Sequence, residues 1–154
     1  MVLTPEQEQF WQAYLTEHPD AGAHTRHVVA GRPGSPGIAD QLIELYLSGV
    51  KTAGSGLVED YLANGDPLPQ VGDHWIALGA DGRPHLILRT DRVETHRFLA
   101  VPERIAVAEG EGDLSLALWR LAHTEFYAPY LDEWGLRDIT DATVVTEIVT
   151  LVHP

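Results

Sequence analysis

The sequence predicts an α+β fold, a small curved sheet or barrel with helices packed around it. Three observations carry that prediction: two helical periodicities in the first fifty residues, an Asp-Gly turn between two strand-like segments, and a β-branched alternating segment at the C-terminus. The length, 154 residues, fits one domain of the usual ~100–200 residues. Hydrophobic residues make up 44% and charged residues 21% of the chain, which excludes wholesale disorder.

Thr4 is the expected N-cap of a first helix running to about His18. Pro5 suits its first position, and Glu6 and Glu8 complement its positive end. Phe10, Trp11, Tyr14 and Leu15 share one face, and Pro19 closes the helix. Residues 30–37, AGRPGSPG, have the chemistry of a loop. Ile38 to Ser48 forms a second amphipathic helix, with Leu42, Ile43, Leu45 and Tyr46 apolar and Gly49 as its stop. The glycine-rich stretch Val50 to Gly56 follows as a connection. Leu57 to Ala63 is then a short helix ended by Asn64-Gly65.

His74 to Leu78 is a strand, Asp81-Gly82 is a hairpin turn, and the return strand runs from His85 to about Thr95. Alternation sends Leu86, Leu88 and Thr90 to one face and His85, Ile87 and Arg89 to the other. Pro102 to Glu109 is a short helix, and EGEGD (Glu109 to Asp113) is an acidic loop broken by glycine. Asp113 or Ser115 caps a longer helix to Tyr127 that buries Leu116, Trp119 and Phe126. Thr143 to Val152 is the closing strand.

Composition narrows the function classes. Ten basic against 23 acidic side chains give a net charge of −13, so long phosphate backbones are repelled overall and general duplex binding is excluded. Any nucleic-acid contact has to come from a local basic pocket. The absence of cysteine excludes disulfides, thiolate catalysis and Cys-based zinc sites. No apolar run approaches the ~18 residues of a membrane span, and the N-terminus has no secretory pattern. The expectation is a soluble cytoplasmic protein with no membrane partner.

Nine of the ten basic residues are arginine, and Lys51 is the one lysine. In a chain that uses arginine for almost every cation, that lysine marks a place suited to a compact ammonium rather than a guanidinium. It lies in GVKTAGSG, Gly49 to Gly56, where glycines admit a close ligand and Thr52 and Ser55 supply hydroxyls. The spacing is not that of a phosphate-binding P-loop. In EGEGD, Glu109, Glu111 and Asp113 crowd like charges, which suits a general base or a magnesium ligand. A divalent metal is therefore compatible with the sequence and not required by it, and the cofactor is left open. On the long helix, Trp119 and His123 are four apart on one face, with Arg120 at its edge.

Three stretches taken together, SGVKTAGSGL (Ser48 to Leu57), PLPQVGDHWIALGADGRPHLILRTDRVE (Pro67 to Glu94) and AEGEGDLSLALWRLAHTEF (Ala108 to Phe126), resemble ASCH-domain proteins, a branch of the PUA-like superfamily. The resemblance covers roughly Ile38 to the C-terminus, with residues 1–37 as an N-terminal helix and loop packed on that domain. It implies a small PUA-like β-barrel with flanking helices and a cleft for RNA or a nucleoside. Gly49, Lys51 and Thr52 match the family's G-x-K-x-x-[ST] stretch, but Gly54 stands where relatives often carry a hydroxyl, so Ser55 or Thr52 would replace it. Some relatives hydrolyse the amide of cytidine acetylated on its exocyclic amine with a Thr–Lys–Glu set, and others are reported as ribonucleases. Matching by position puts that glutamate at Glu111.

The resemblance thus implies a catalytic set of Lys51, Glu111, Ser55 and Thr52, and a substrate-binding set of Arg89, Thr90, Arg120 and His123. The expectation leans to a hydrolase, either a ribonuclease or an acylated-cytidine amidohydrolase, acting on a nucleoside, a nucleotide or short single-stranded RNA. The alternative is a non-catalytic RNA-binding or regulatory module.

Overall fold

A computed structural model describes residues 2–25 and 27–154. Among these, six α-helices and five strands are α1 (Pro5–Glu17), α2 (Ala21–His24), β1 (Val28–Gly31), α3 (Ala39–Leu47), β2 (Ala53–Leu57), α4 (Val58–Asn64), β3 (His74–Leu78), β4 (Pro84–Arg97), α5 (Glu103–Glu109), α6 (Leu116–Tyr127) and β5 (Thr143–His153). The strands form one mixed sheet in the order β1-β3-β4-β5-β2. The α+β expectation holds. The chain divides into two compact units: Met1–Val50, Gln70–Asp91 and Val149–Pro154 form the first, Lys51–Pro69 and Arg92–Ile148 the second.

In the first unit, β1 pairs parallel with β3, and β3 pairs antiparallel with β4. Register decides which side chains meet. Ile76 is opposite Ile87 and Ala77 is opposite Leu86, so the two pairs point to opposite faces. Ile76 and Ile87 pack with Trp11 and Tyr14 of α1. Ala77, Leu86 and Leu88 pack with Ile43 and Tyr46 of α3. Both faces are therefore covered, and Ile87, on the face of β4 opposite Leu86, is buried by α1. Covering a side chain of that size contributes about 1.5–3 kcal/mol. Thr4 caps α1 as expected, accepting from the Gln7 amide in a capping box.

The second unit packs α5 and α6 with β2 and β5 around Leu57, Phe98, Ile105, Trp119, Tyr127 and Val144. Three expectations need correction. Val28–Gly31 lies partly inside the predicted loop but forms β1, because a short V-V-A run has no periodicity of its own and becomes a strand only by pairing with β3. Ala53–Leu57, expected as a connection, is strand β2, since the β-branched residues of β5 supply the partner that a glycine-rich segment cannot supply for itself. Phe126 is 44% exposed, and Tyr127 takes the buried place beside Trp119. Of the two proposed caps, Ser115 occupies the N-cap of α6 and accepts from the Leu118 amide.

Candidate active site

Strand alternation places Lys51, Ala53, Ser55 and Leu57 on one side of the β2 segment, with Thr52 on the other. Ser55 is directly opposite Thr146 of β5, and their hydroxyl oxygens lie 2.7 Å apart. Ser55 is half-buried, whereas Lys51 and Thr146 are buried. The backbone amide of Thr52 donates to the Ala108 carbonyl at 2.7 Å, which ties the start of β2 to the last turn of α5.

That turn delivers the carboxylate around which the site is built. Ile105, Ala106 and Glu109 are the buried residues of α5, at the i, i+1, i+4 spacing of one helix face. Glu109 is thus an acid at the end of an apolar stripe. Gly110, at φ 70°, ends the helix in the left-handed conformation that glycine adopts without strain. Gly112, at φ 62°, repeats the left-handed conformation two residues later. This tight loop turns Glu111 back toward the same lysine.

The contacts divide the Glu109 carboxylate in two. Oε2 accepts from the Ser55 hydroxyl at 2.9 Å and from the Trp119 indole N–H. Oε1 faces Lys51 Nζ and His123 Nε2, each at 3.8 Å. Lys51 Nζ also donates to the Glu109 carbonyl at 3.2 Å and to Glu111 Oε2 at 2.8 Å. The Glu109 and Lys51 side chains are 3% and 4% exposed, while Glu111 is 42% exposed. One carboxylate is therefore built into the interior and the other reaches in from the surface. Helix α6 supplies the remaining wall, with Trp119, His123 and Tyr127 at i, i+4, i+8. Burial, and then the negative charge of Glu109, push the Tyr127 phenol above its ordinary range. Its hydroxyl donates to the Ser55 carbonyl at 3.3 Å.

Of the residues singled out in the sequence, the second unit brings Lys51, Ser55, Glu111 and His123 together. Thr52 is exposed, with its hydroxyl donating to the Ala108 carbonyl at 3.4 Å. Arg120 donates to the Leu99 carbonyl at 2.9 Å. Arg89 and Thr90 belong to the first unit. There Arg89 pairs with Asp91 at 2.7 Å, and the buried Thr90 exchanges backbone hydrogen bonds with Gly72 and Asp73. Glu109 and Thr146 carried no individual assignment in the sequence. The signal for Glu109 was an acid sharing a face with Ile105; Thr146 had none, because strand register is not written locally. Among the described residues, no group of three or more His, Cys, Asp or Glu is arranged to hold a metal ion. An open concavity of about 500 Å³ lies in the first unit, lined by Glu6, Phe10, Arg83 and His85 among others, and contains none of these residues.

Comparison with known proteins places the chain in a family. The model of the ASCH domain matches residues 29–153. The chain belongs to the ASCH-domain family. A solved ASCH domain from Lactobacillus crispatus JV V101 is 28% identical, with a TM-score of 0.90 over 99% of this chain and 97% of that one. A protein from Enterococcus faecalis V583 is also 28% identical, with a TM-score of 0.79 over 95% of this chain and 87% of that one. A search of curated proteins found no match. The PUA-like α+β architecture expected from the sequence is thus the fold of this ASCH domain. Among its described residues, no helix is long and apolar enough to cross a membrane.

Proposed function

We propose that this ASCH domain hydrolyses an acyl amide on a nucleoside base, such as cytidine acetylated on its exocyclic amine, by transferring the acyl group to Ser55. The observation that carries this reading is the 2.9 Å hydrogen bond from Ser55 Oγ to Glu109 Oε2. A hydroxyl is a weak nucleophile until a neighbouring base takes its proton, and Glu109 is the base in reach. Because the single Ser55 proton points to Glu109, Thr146 donates to Ser55 Oγ, which holds the oxygen in place. Lys51 donates to Glu111 and to the Glu109 carbonyl, so its part is electrostatic. Its charge steadies the carboxylate and the oxyanion that forms on the attacked carbonyl.

Charge favours an amide over a phosphodiester. Two carboxylates, Glu109 and Glu111, flank one ammonium. Even with a protonated His123 beside Glu109, the two cations only balance the two carboxylates, so the site has no surplus of positive charge to hold an anionic phosphate, and a neutral amide needs none. The Gly54 position, where relatives often carry a hydroxyl, does not defeat the reading, because Ser55 lies on the Lys51 side of the strand.

The test is incubation with N-acetylated cytidine and with single-stranded RNA, followed by chromatography. We expect release of cytidine by the wild type, loss of turnover in Ser55→Ala and Lys51→Met, and continued binding of the nucleoside by Lys51→Met. Binding of RNA or nucleoside without turnover of either would replace the hydrolase with a binding module.

A further inference from the structure

The orientation of His123 has a chemical consequence. Its Nδ1 lies 2.8 Å from the Trp119 carbonyl oxygen. A carbonyl can only accept, so Nδ1 carries a proton and donates it. The ring stacks on Trp119 with centroids 4.0 Å apart and planes 24° apart, which fixes the direction of the other nitrogen. That nitrogen, Nε2, faces Glu109 Oε1 at 3.8 Å, and the side chain keeps 18% exposure. The two oxygens of one carboxylate thus separate two functions. Oε2 touches the hydroxyl that must lose a proton, and Oε1 faces a nitrogen that can carry one.

Resting on the hydrolytic reading of this site, we propose that His123 is the general acid that protonates the departing amine. Ser55 passes its proton to Glu109 Oε2 and its oxygen bonds to the acyl carbon. The carbon–nitrogen bond breaks, and the nitrogen takes the proton from Nε2 of the imidazolium, leaving the free amine and a neutral imidazole. Water then attacks the acyl-serine and gives a proton to Nε2. The Ser55 oxygen leaves with the proton held by Glu109, so a carboxylic acid departs and both side chains return to their starting forms. Glu109 from α5 faces the imidazole, Lys51 beside β2 lies 3.8 Å from the same carboxylate oxygen, and Trp119 and Tyr127 flank the ring on its own helix.

Leaving-group chemistry tests the assignment. The amine of N-acetylated cytidine needs a proton to depart, whereas the nitrophenolate of para-nitrophenyl acetate does not. We expect His123→Gln to slow the acylation step with the amide, read as cytidine release in a single turnover, by roughly 100-fold or more. It should leave the nitrophenolate burst from the ester within about threefold of wild type, while steady-state turnover of both substrates falls because water attack uses the same Nε2. The fall of wild-type kcat/KM for the amide with rising pH, as Nε2 loses its proton, should vanish in this variant. Equal losses in the two acylation rates, or none in either, overturn the acid role alone. A wild type inert toward both substrates overturns the hydrolytic reading and the acid role with it. Side-chain nitrogen NMR of the wild type gives a check that needs no variant. Nδ1 should stay protonated throughout the titration while Nε2 gains and loses its proton, and a neutral form protonated at Nε2 refutes the proposal.

Discussion

Ser55 and Glu109 are joined by a 2.9 Å hydrogen bond across 54 positions of chain. The hydroxyl comes from a strand and the carboxylate from the last residue of a helix. The hydrogen bond between the Thr52 amide and the Ala108 carbonyl fastens the start of that strand to the last turn of that helix.

That contact separates the roles of two neighbouring hydroxyls. Ser55→Ala should lower amide turnover by at least about a hundredfold, the usual scale for losing an activated nucleophile or its base. Thr52→Ala should stay within about threefold, since its hydroxyl faces a backbone carbonyl on the exposed side. Steady-state kinetics of the two variants check this division, and equal losses would refute it.

The two glutamates on Lys51 should differ sharply in stability. Glu109→Ala removes the acceptor of the buried Trp119 indole N–H and the carboxylate 3.8 Å from the buried Lys51 ammonium, and should cost about 3–5 kcal/mol. Glu111→Ala removes a carboxylate that is 42% exposed, and solvent screening holds its cost to under about 1 kcal/mol. Urea unfolding followed by circular dichroism measures both. A larger loss at Glu111 would mean that the surface carboxylate, not the interior one, holds the unit together.

In the first unit, the buried His74 makes stability depend on pH. Burial holds its imidazole below the ordinary value of 6.5, against the opposing hydrogen bond to the Gly72 carbonyl, with Arg89 adding to the depression and Asp73 and Asp91 opposing it. A lowered value means that the unfolded chain binds the proton the folded chain refuses. The contribution of this residue is therefore complete above the ordinary value and is lost as pH falls below it toward the folded value. The wild-type Tm should drop between about pH 7.5 and about pH 5.5, and His74→Phe should drop less. An identical drop in both would assign the dependence to other groups.

Glu94 titrates in the opposite part of the scale. Its hydrogen bonds and charge contacts with Arg104, and then with Arg92, lower its carboxyl to about 2. A depressed carboxylate stabilises above its unfolded value of about 4.3, and that stabilisation fades as pH falls toward 2. Arg104→Ala should therefore cost up to about 1 kcal/mol at neutral pH, a figure limited by the exposure of the pair. The difference from wild type should close in strong acid. Denaturant titrations at the two pH values give the comparison.

The elements with strong local signals were legible in the sequence. Thr4 and Pro5 start α1, and Asp81-Gly82 turns β3 into β4, because capping and turn preferences act within four residues. Lys51 stood out by its isolation among arginines, and the motifs around it named the family. The short strand β1 and the glycine-rich strand β2 were not legible. Neither has a pattern of its own, and each becomes a strand only through a partner far along the chain. The same limit hid the central carboxylate. Positional matching led to Glu111, whereas the interior contacts with Ser55 and Trp119 belong to Glu109.

The sequence alone determined the α+β class, the family, the positions of most helices and the identity of the single ammonium. These are set by periodicity, capping and composition, which operate over a few residues or over the whole chain at once. The tertiary structure decided which hydroxyl and which carboxylate meet beside that ammonium, and which nitrogen of His123 faces them. Those relations depend on strand register and helix facing, where a shift of one residue sends a side chain to the opposite surface.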